Sequence, residues 1–206
     1  MKILVIGATG ATGHWLIQDG QALGHRVSAL VRDPSNWQAP AGVIVHQGEA
    51  RDQASLEAAL GGQDAVLSAF GPRSLKKDDL QEAFMRHLVA AMQKCGVKRL
   101  VNLSAWGAGD SYPEANFFMR YLLMPLMLKN VYADKNRGEA HLLASSLDFI
   151  NLRPGQLLNS GPRGGVKASL SAKDLKPSMT RQDLSKFMLA QLSDNTWLRQ
   201  SPLIGY

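Results

Sequence analysis

The sequence predicts a single α/β domain with a doubly wound, mostly parallel sheet and helices on both faces. Short apolar runs recur along the chain with helical patterns between them, which is typical of successive βαβ units. Several runs are continuously apolar rather than alternating, as in strands that helices cover on both faces. A length of 206 residues allows one full hydrophobic core and leaves no comparable second domain. We therefore expect one domain of this class over residues 1–206.

Seven segments are predicted as strands, the last of them from a weak pattern. They are Lys2–Ile6, Arg26–Val31, Val43–His46, Ala65–Ala69, Arg99–Ser104, Asp148–Leu152 and Leu203–Tyr206. Between the sixth strand and the last helix lies a glycine- and proline-rich stretch, at about 153–179, which is far longer than an ordinary connection. We expect it to be a long loop on the substrate side of the domain.

Caps and glycines mark the predicted helix ends. One helix follows Asp78-Asp79 and stops at Gly96, and a shorter one runs from about Gln53 to Leu60. The last helix begins at Thr180, with Asp183 three residues on, an arrangement that resembles a capping box. In each of these helices the apolar residues recur every three to four positions, as expected for a helix that packs one face on a sheet.

Composition and charge narrow the classes of protein. A hydrophobic content of 45% with 19% charged residues is typical of a folded chain, and the net charge of +6 favours an anionic ligand such as a nucleotide phosphate. The basic residues, Lys76-Lys77 among them, are scattered without interleaved aromatic residues, so we do not expect nucleic-acid binding. The longest apolar stretch is interrupted and too short for a membrane span, so no membrane partner is expected.

Cysteine and histidine usage argues against disulfides and metals. The lone Cys95 cannot form an internal disulfide, which fits the cytoplasm, and we expect it to be a small packing residue. None of the five histidines has another histidine four residues away or a cysteine nearby, so we expect no metal site.

The most informative motif is a glycine-rich turn directly after the first predicted strand. Gly7, Gly10 and Gly13 follow the pattern that opens a helix at a dinucleotide site. Gly7 is expected to form the turn, Gly10 to admit a pyrophosphate and Gly13 to let the helix pack closely. The cofactor-binding residues that we predict in this turn are Gly7, Thr9, Gly10, Ala11, Thr12 and Gly13.

The residue at the end of the second strand predicts which cofactor is preferred. An NAD site usually has an acidic residue about 20 positions after the glycines, to bind the adenosine ribose. Arg32 lies 19 residues after Gly13, and a guanidinium pairs with a 2′-phosphate. We therefore expect NADP(H) to be preferred over NAD(H). The alternative is that Arg32 is a solvated surface charge and Asp33 reaches the ribose.

The carboxyl ends of the other strands should meet at the same crevice. Glu49 and Ala50 are expected near adenine, and Ser68, Ala69, Phe70 and Gly71 near the ribose and linker. Ser104 follows the fifth strand, close to the nicotinamide, and is our best polar candidate near the reacting carbon. Alternatively, it only satisfies a backbone group.

These residues resemble the short-chain dehydrogenase/reductase superfamily, and within it the NAD(P)H-binding branch of NmrA-like proteins and the biliverdin reductase B/flavin reductase group. The motifs that carry the likeness are Gly7-x-x-Gly10-x-x-Gly13, Val31-Arg32-Asp33, Asp64-Ala65-Val66, Leu103-Ser104, Ser146-Leu147-Asp148-Phe149-Ile150 and Leu152-Arg153-Pro154-Gly155. The resemblance implies a single NAD(P)-binding Rossmann domain over residues 1–206, with NADPH held across the strand ends and a planar acceptor over the nicotinamide. It also implies cofactor contacts from Pro154 and Gly155.

The sequence departs from the superfamily's Tyr-x-x-x-Lys pattern. Tyr132 and Lys135 are three residues apart, which still makes them helix neighbours. We consider Tyr132 and Lys135, with Ser104, as candidate catalytic residues, and Lys135 also as a ribose or phosphate contact. The alternatives are a packing tyrosine and a solvated lysine.

The segment 117–128 is unusually apolar for a connection, and we expect Pro125 to break or kink any helix there. The segment could form an adaptable wall for a flat substrate, a partner surface or ordinary core.

Our functional hypothesis is an NADPH-dependent oxidoreductase that passes a hydride to a planar acceptor such as a flavin, a quinone or a biliverdin-like compound. Flavin would then be a substrate rather than a bound prosthetic group, and the protein a monomer or homodimer. The main alternative is a non-catalytic NADP(H) sensor that acts through a protein partner. An epimerase is weakened because no separate sugar-nucleotide domain fits in the chain.

Overall fold

A parallel sheet forms the centre of the protein. The computed structural model describes residues 1–72, 74–75 and 78–206, so the basic pair Lys76-Lys77 lies outside the described residues. The strands are β1 Lys2–Ile6, β2 Arg26–Val31, β3 Ile44–Gln47, β4 Ala65–Ser68, β5 Arg99–Leu103, β6 Asp148–Pro154, β7 Gln156–Leu158, β8 Lys167–Ser169, β9 Ser178–Thr180 and β10 Leu203–Gly205. Eight of them form one sheet in the order β3-β2-β1-β4-β5-β6-β10-β8, in which only β8 is antiparallel to its neighbour. The carboxyl ends of seven strands therefore share one edge.

Helices cover both faces of this sheet, as predicted. They are α1 Ala11–Ala22, α2 Gln53–Leu60, α3 Leu80–Cys95, α4 Lys129–Leu143 and α5 Arg181–Ala190. Because side chains alternate along a strand, Ile3 and Val5 pack with α1 and α5, whereas Leu4 and Ile6 pack with α2, α3 and α4. None of the helices in the described part of the chain is long and apolar enough to cross a bilayer.

The predicted elements are confirmed with small shifts at their ends. All seven expected strands form, and the Thr180 hydroxyl accepts a hydrogen bond from the Asp183 amide at the start of α5. Gly96 ends α3 with a φ of 72°, in the left-handed region that favours glycine. The stretch at 153–179 differs from a plain loop, because it contains β8 and the β7–β9 pair. Three-residue strands of this kind carry too little periodicity to be seen in a sequence.

Two local predictions are corrected. Cys95 is exposed rather than packed inside. The chain remains helical through Pro125, in a π-helical segment Met119–Leu128 that leads into α4. Proline has no amide hydrogen, so the backbone carbonyl that would accept from it has no donor. In a π-helix this carbonyl lies five residues earlier, at Arg120. The Tyr112 hydroxyl donates to the Arg120 carbonyl at 3.0 Å instead. Of the expected break or kink, the break is therefore wrong, because a π-helix continues through Pro125.

Candidate functional site

The glycine-rich turn between β1 and α1 is closely packed around its backbone. Gly7 has a φ of +86°, and a Cβ there would lie 2.6 Å from the carbonyl oxygen of Ala69. A Cβ on Gly13 would lie 2.2 Å from the Gly7 oxygen, so only glycine lets α1 start this close to the turn. Among the described residues, no side-chain hydrogen bond caps the start of α1 at Gly10. Its first amide groups and its dipole therefore face the strand ends, an arrangement that favours a phosphate.

A cavity of about 490 Å³ opens above this turn. It brings together nine of the predicted cofactor-binding residues: Gly7, Thr9, Gly10, Arg32, Glu49, Ala50, Ala69, Phe70 and Gly71. The cavity is also lined by residues that sequence reasoning did not single out, among them Leu30 and Arg51. The cavity lies at the carboxyl edge between β1 and β4, where the strand order reverses and where doubly wound folds bind dinucleotides.

The geometry around Arg32 bears on cofactor preference. The Arg32 side chain is 72% exposed, and its Nε lies 3.9 Å from a Glu49 oxygen, so its guanidinium remains accessible at the cavity wall. The Asp33 carboxylate instead accepts hydrogen bonds from Ser35 and Asn36, which lower its pKa. Asp33 therefore caps the short turn that follows β2, and Arg32 is the side chain presented to the cavity.

A buried ionic cluster lies behind the other end of the crevice, where β5 and β6 end. Arg153 is 2% exposed, and its Nη2 donates to a Glu139 oxygen at 2.6 Å. Burial acts to lower the pKa of Arg153, but the hydrogen bond and the charge of Glu139 outweigh it and raise the pKa. The Ser104 hydroxyl donates to the other Glu139 oxygen. Ser104 thus has a side-chain partner, and its oxygen keeps lone pairs that can accept a hydrogen bond.

Tyr132 and Lys135 lie on α4, which runs back from the carboxyl edge of the sheet. The Tyr132 hydroxyl donates to the Trp106 carbonyl at 2.9 Å, and burial raises the pKa of Tyr132 to about 12. Lys135 is buried, not solvated as the alternative held, and desolvation lowers its pKa against the opposing charges of Glu139 and Asp134. Lys135 lies one turn before Glu139 on α4 and is not among the residues that line the cavity, so its contact with a cofactor stays a prediction.

The remaining predicted residues lie around the cavity rather than on its surface. Ser68 is fully buried, and Thr12 and Gly13 are buried in the first turn of α1, where Ala11 is exposed. The Pro154 carbonyl accepts from the Trp106 amide, and a Cβ on Gly155 would lie 2.1 Å from the Pro177 oxygen. Pro154 and Gly155 therefore hold the acceptor-side segments together, and their predicted contact with a cofactor stays a prediction.

Sequence reasoning missed the Glu139–Arg153 pair. A signal for it was present, because Arg153 directly follows Leu152 at the end of a predicted buried strand, and a charge in that position requires a buried partner. The partner, Glu139, is one of several charged residues on α4. Sequence spacing alone does not distinguish a buried carboxylate from a solvated one.

The close packing at Gly13 allows a direct test of the turn. We expect Gly13→Ala to abolish measurable NAD(P)H binding, because its Cβ would overlap the Gly7 carbonyl and force the turn away from α1. Gly61→Ala is a matched control, since a Cβ there meets its nearest atom at 3.5 Å. Calorimetric titration with folding checked by circular dichroism measures both. Full binding by folded Gly13→Ala protein would contradict this role.

Curated relatives include reductases and one protein, named as an epimerase, that matches nearly the whole chain. The chain is 37% identical over 124 residues to a 3-diazoavenalumate denitrifying reductase of a Streptomyces species, covering 55% of this chain and 41% of that protein. The chain likewise spans only part of two further relatives, with 33% of the length of one and 37% of the length of the other covered. YhfK of Bacillus subtilis, an uncharacterized sugar epimerase, is 30% identical over 94% of this chain and 89% of its own length.

Solved structures share the whole fold. ChuY, an anaerobillin reductase from Escherichia coli O157:H7, superimposes with a TM-score of 0.84 over 100% of this chain and 97% of its own, at 22% identity. At this identity the likeness establishes the fold alone. A family model for NAD(P)H-binding proteins matches residues 7–195, which include the glycine turn, the cavity and the Glu139–Arg153 pair. The chain therefore belongs to the NAD(P)H-binding family of Rossmann-fold proteins.

Proposed function

We propose that this protein is an NADPH-dependent reductase that delivers a hydride to a planar acceptor such as a flavin, a quinone or a biliverdin-like compound. The observation that carries the proposal is the cavity above the Gly7–Gly13 turn with Arg32 at its wall. The first amide groups of α1 fit a pyrophosphate, and the Arg32 guanidinium fits a 2′-phosphate. When bound, NADPH supplies the hydride. The names of the reductases among the relatives support the same class of reaction.

The side chains at the acceptor end of the crevice favour a reaction that does not require a proton donor from the protein. The Tyr132 proton is held by the Trp106 carbonyl, and the Ser104 proton by Glu139. With its proton so placed, the Ser104 oxygen can accept a hydrogen bond from a bound amide and orient it. Reduction of a flavin or quinone fits such a site, because the protein contributes orientation and exclusion of water while solvent provides protons.

A non-catalytic NADP(H) sensor is the second candidate, and the same hydrogen bonds favour it. A protein that only binds the cofactor has no need for a free acid at the nicotinamide end, and Tyr132 is not one. The two candidates differ in turnover, since a sensor binds NADPH without consuming it. An epimerase, as the name of YhfK suggests, needs an acid–base pair that the bonded Tyr132 does not offer.

The test is to follow NADPH absorbance while flavins, quinones and biliverdin are supplied in turn. We expect saturable oxidation with at least one acceptor. We also expect Lys135→Met to slow it, because we propose that the Lys135 ammonium contacts the ribose and methionine removes that charge. Lys98→Met is the control for loss of a lysine charge, since the exposed Lys98 directly precedes β5, at the end of the strands opposite the cavity. Tight NADPH binding with no oxidation across the panel would favour the sensor over the reductase.

A further inference from the structure

An apolar surface projects from the acceptor side of the protein. Six large side chains of the segment 117–127 are exposed, with Phe117 at 79% and Leu126 at 72%. The six are Phe117, Phe118, Tyr121, Leu122, Leu126 and Met127, and we call them the apolar surface. Most recur at four-residue spacing, so they form a stripe along one side of the helical segment. Ordinary core packing, one of the three roles open from the sequence, is therefore wrong for these six.

The opposite side of the same segment is already packed on the protein. Met124 is 4% exposed and joins Trp106, Ala115 and Leu203 in a small core, against which Ala172 and Leu175 also pack. The segment is thus apolar on both sides, with one side covered and the other in water. A helix that is apolar all round is normally buried on all sides, so its outer side calls for a covering surface.

Charge around the apolar surface indicates what covers it. Residues 115–133 contain Arg120 and Lys129 and no acidic residue. The loop packed beside the segment adds exposed Lys173 and Lys176, with one acid, Asp174, between them. The neighbouring acid Glu114 accepts from the Ala172 amide. Together with the net charge of +6, these residues place positive charge beside apolar side chains, which suits an anionic surface.

The small number of hydrogen-bonding groups among the six side chains favours a bilayer over a protein partner. A protein interface carries about one hydrogen bond per 100–200 Å². The apolar surface offers one side-chain hydroxyl, that of Tyr121, among hydrocarbon groups and a thioether. Aromatic and aliphatic side chains next to lysine and arginine are what helices lying in the plane of a membrane interface present to lipid.

We propose that the apolar surface docks this protein on the face of an anionic lipid bilayer, without crossing it. Met124 lies against Gly107, in the turn that follows Ser104, so docking would hold the acceptor end of the crevice close to the lipid. A lipid-soluble quinone could then reach that end directly. This last consequence, unlike the docking itself, rests on the proposed function.

The test is cosedimentation of the whole chain with vesicles, without cofactor or acceptor. We expect binding to phosphatidylcholine vesicles that contain phosphatidylserine, at least about tenfold weaker binding to phosphatidylcholine alone, and release by high salt. The double variant Phe117→Ser with Leu126→Ser should lose about tenfold or more in binding, because both side chains are exposed and enter the lipid. The matched control is Leu23→Ser, an equally exposed leucine at the far end of α1.

A second pair of variants tests the charge. Lys129→Gln with Lys173→Gln should weaken binding to the anionic vesicles only, whereas Lys98→Gln, at the opposite edge of the sheet, should not. No binding to anionic vesicles would overturn the proposal. So would dimerisation, measured by analytical ultracentrifugation, that the Phe117→Ser, Leu126→Ser variant abolishes, since the apolar surface would then join two copies. NADPH oxidation with a water-soluble flavin, measured without vesicles, tests the proposed function separately.

Discussion

Glu139→Ala is expected to lower the free energy of unfolding by about 3–5 kcal/mol, because it leaves the Arg153 charge buried without its partner. Arg153 is 2% exposed and Glu139 4%, and the variant leaves the Arg153 Nε and Nη2 and the Ser104 hydroxyl without the carboxylate to which they donate. Asp110, which also pairs with Arg153, lies at the exposed end of the guanidinium and compensates only in part. Urea denaturation followed by circular dichroism measures the change.

Arg137→Ala is the matched control for this loss. Arg137 also forms ion pairs from α4, with Glu82 and Asp134, but its side chain is 46% exposed. We expect its removal to change the free energy of unfolding by less than about 1 kcal/mol. Replacing the buried pair as a whole, by Glu139→Leu with Arg153→Met, should recover most of the loss caused by Glu139→Ala. A similar small loss for Glu139→Ala and Arg137→Ala would show that the buried pair is not held as described.

Arg32→Ala is expected to weaken NADPH binding by about 1.5–3 kcal/mol, which is about 10-fold to 150-fold in Kd, and to leave NADH binding nearly unchanged. The difference arises because only NADPH carries the 2′-phosphate that the guanidinium would pair with. The ribose of NADH cannot gain Asp33 in exchange, since the Asp33 carboxylate is bound by Ser35 and Asn36.

Arg26→Ala provides the control on the same strand. Arg26 begins β2 at the edge opposite the cavity, so its removal changes the net charge equally without touching the site. Calorimetric titrations of both variants with each cofactor separate a local contact from a general electrostatic effect. Equal losses of NADPH affinity in the two variants, or an Arg32→Ala loss shared by NADH, would contradict the assignment of Arg32.

The fold was predictable because its signals are local and repeated. A four-residue apolar repeat ended by Gly96 defines α3, and Gly7, Gly10 and Gly13 fix both the first turn and the position of the cavity. Parallel order then follows from the helices between strands, and it brings Glu49 and Phe70 to the same crevice.

The acceptor side was less predictable because its structure depends on contacts between distant residues. The partners of Tyr132 and Ser104 are set by how α4 packs on β5 and β6, and no spacing in the sequence encodes them. Pro125 remains within a helix, and the Arg120 carbonyl takes its hydrogen bond from Tyr112, a residue outside that helix. The same limit applied to Lys135, whose burial depends on the packing of α3 against α4.

Calorimetric titration of the unmodified chain with NADPH and then with NADH tests the central claim most directly. The cavity with Arg32 at its wall predicts saturable binding of one NADPH per chain, at least about tenfold tighter than that of NADH. Failure to bind either cofactor, or tighter binding of NADH, would contradict the account.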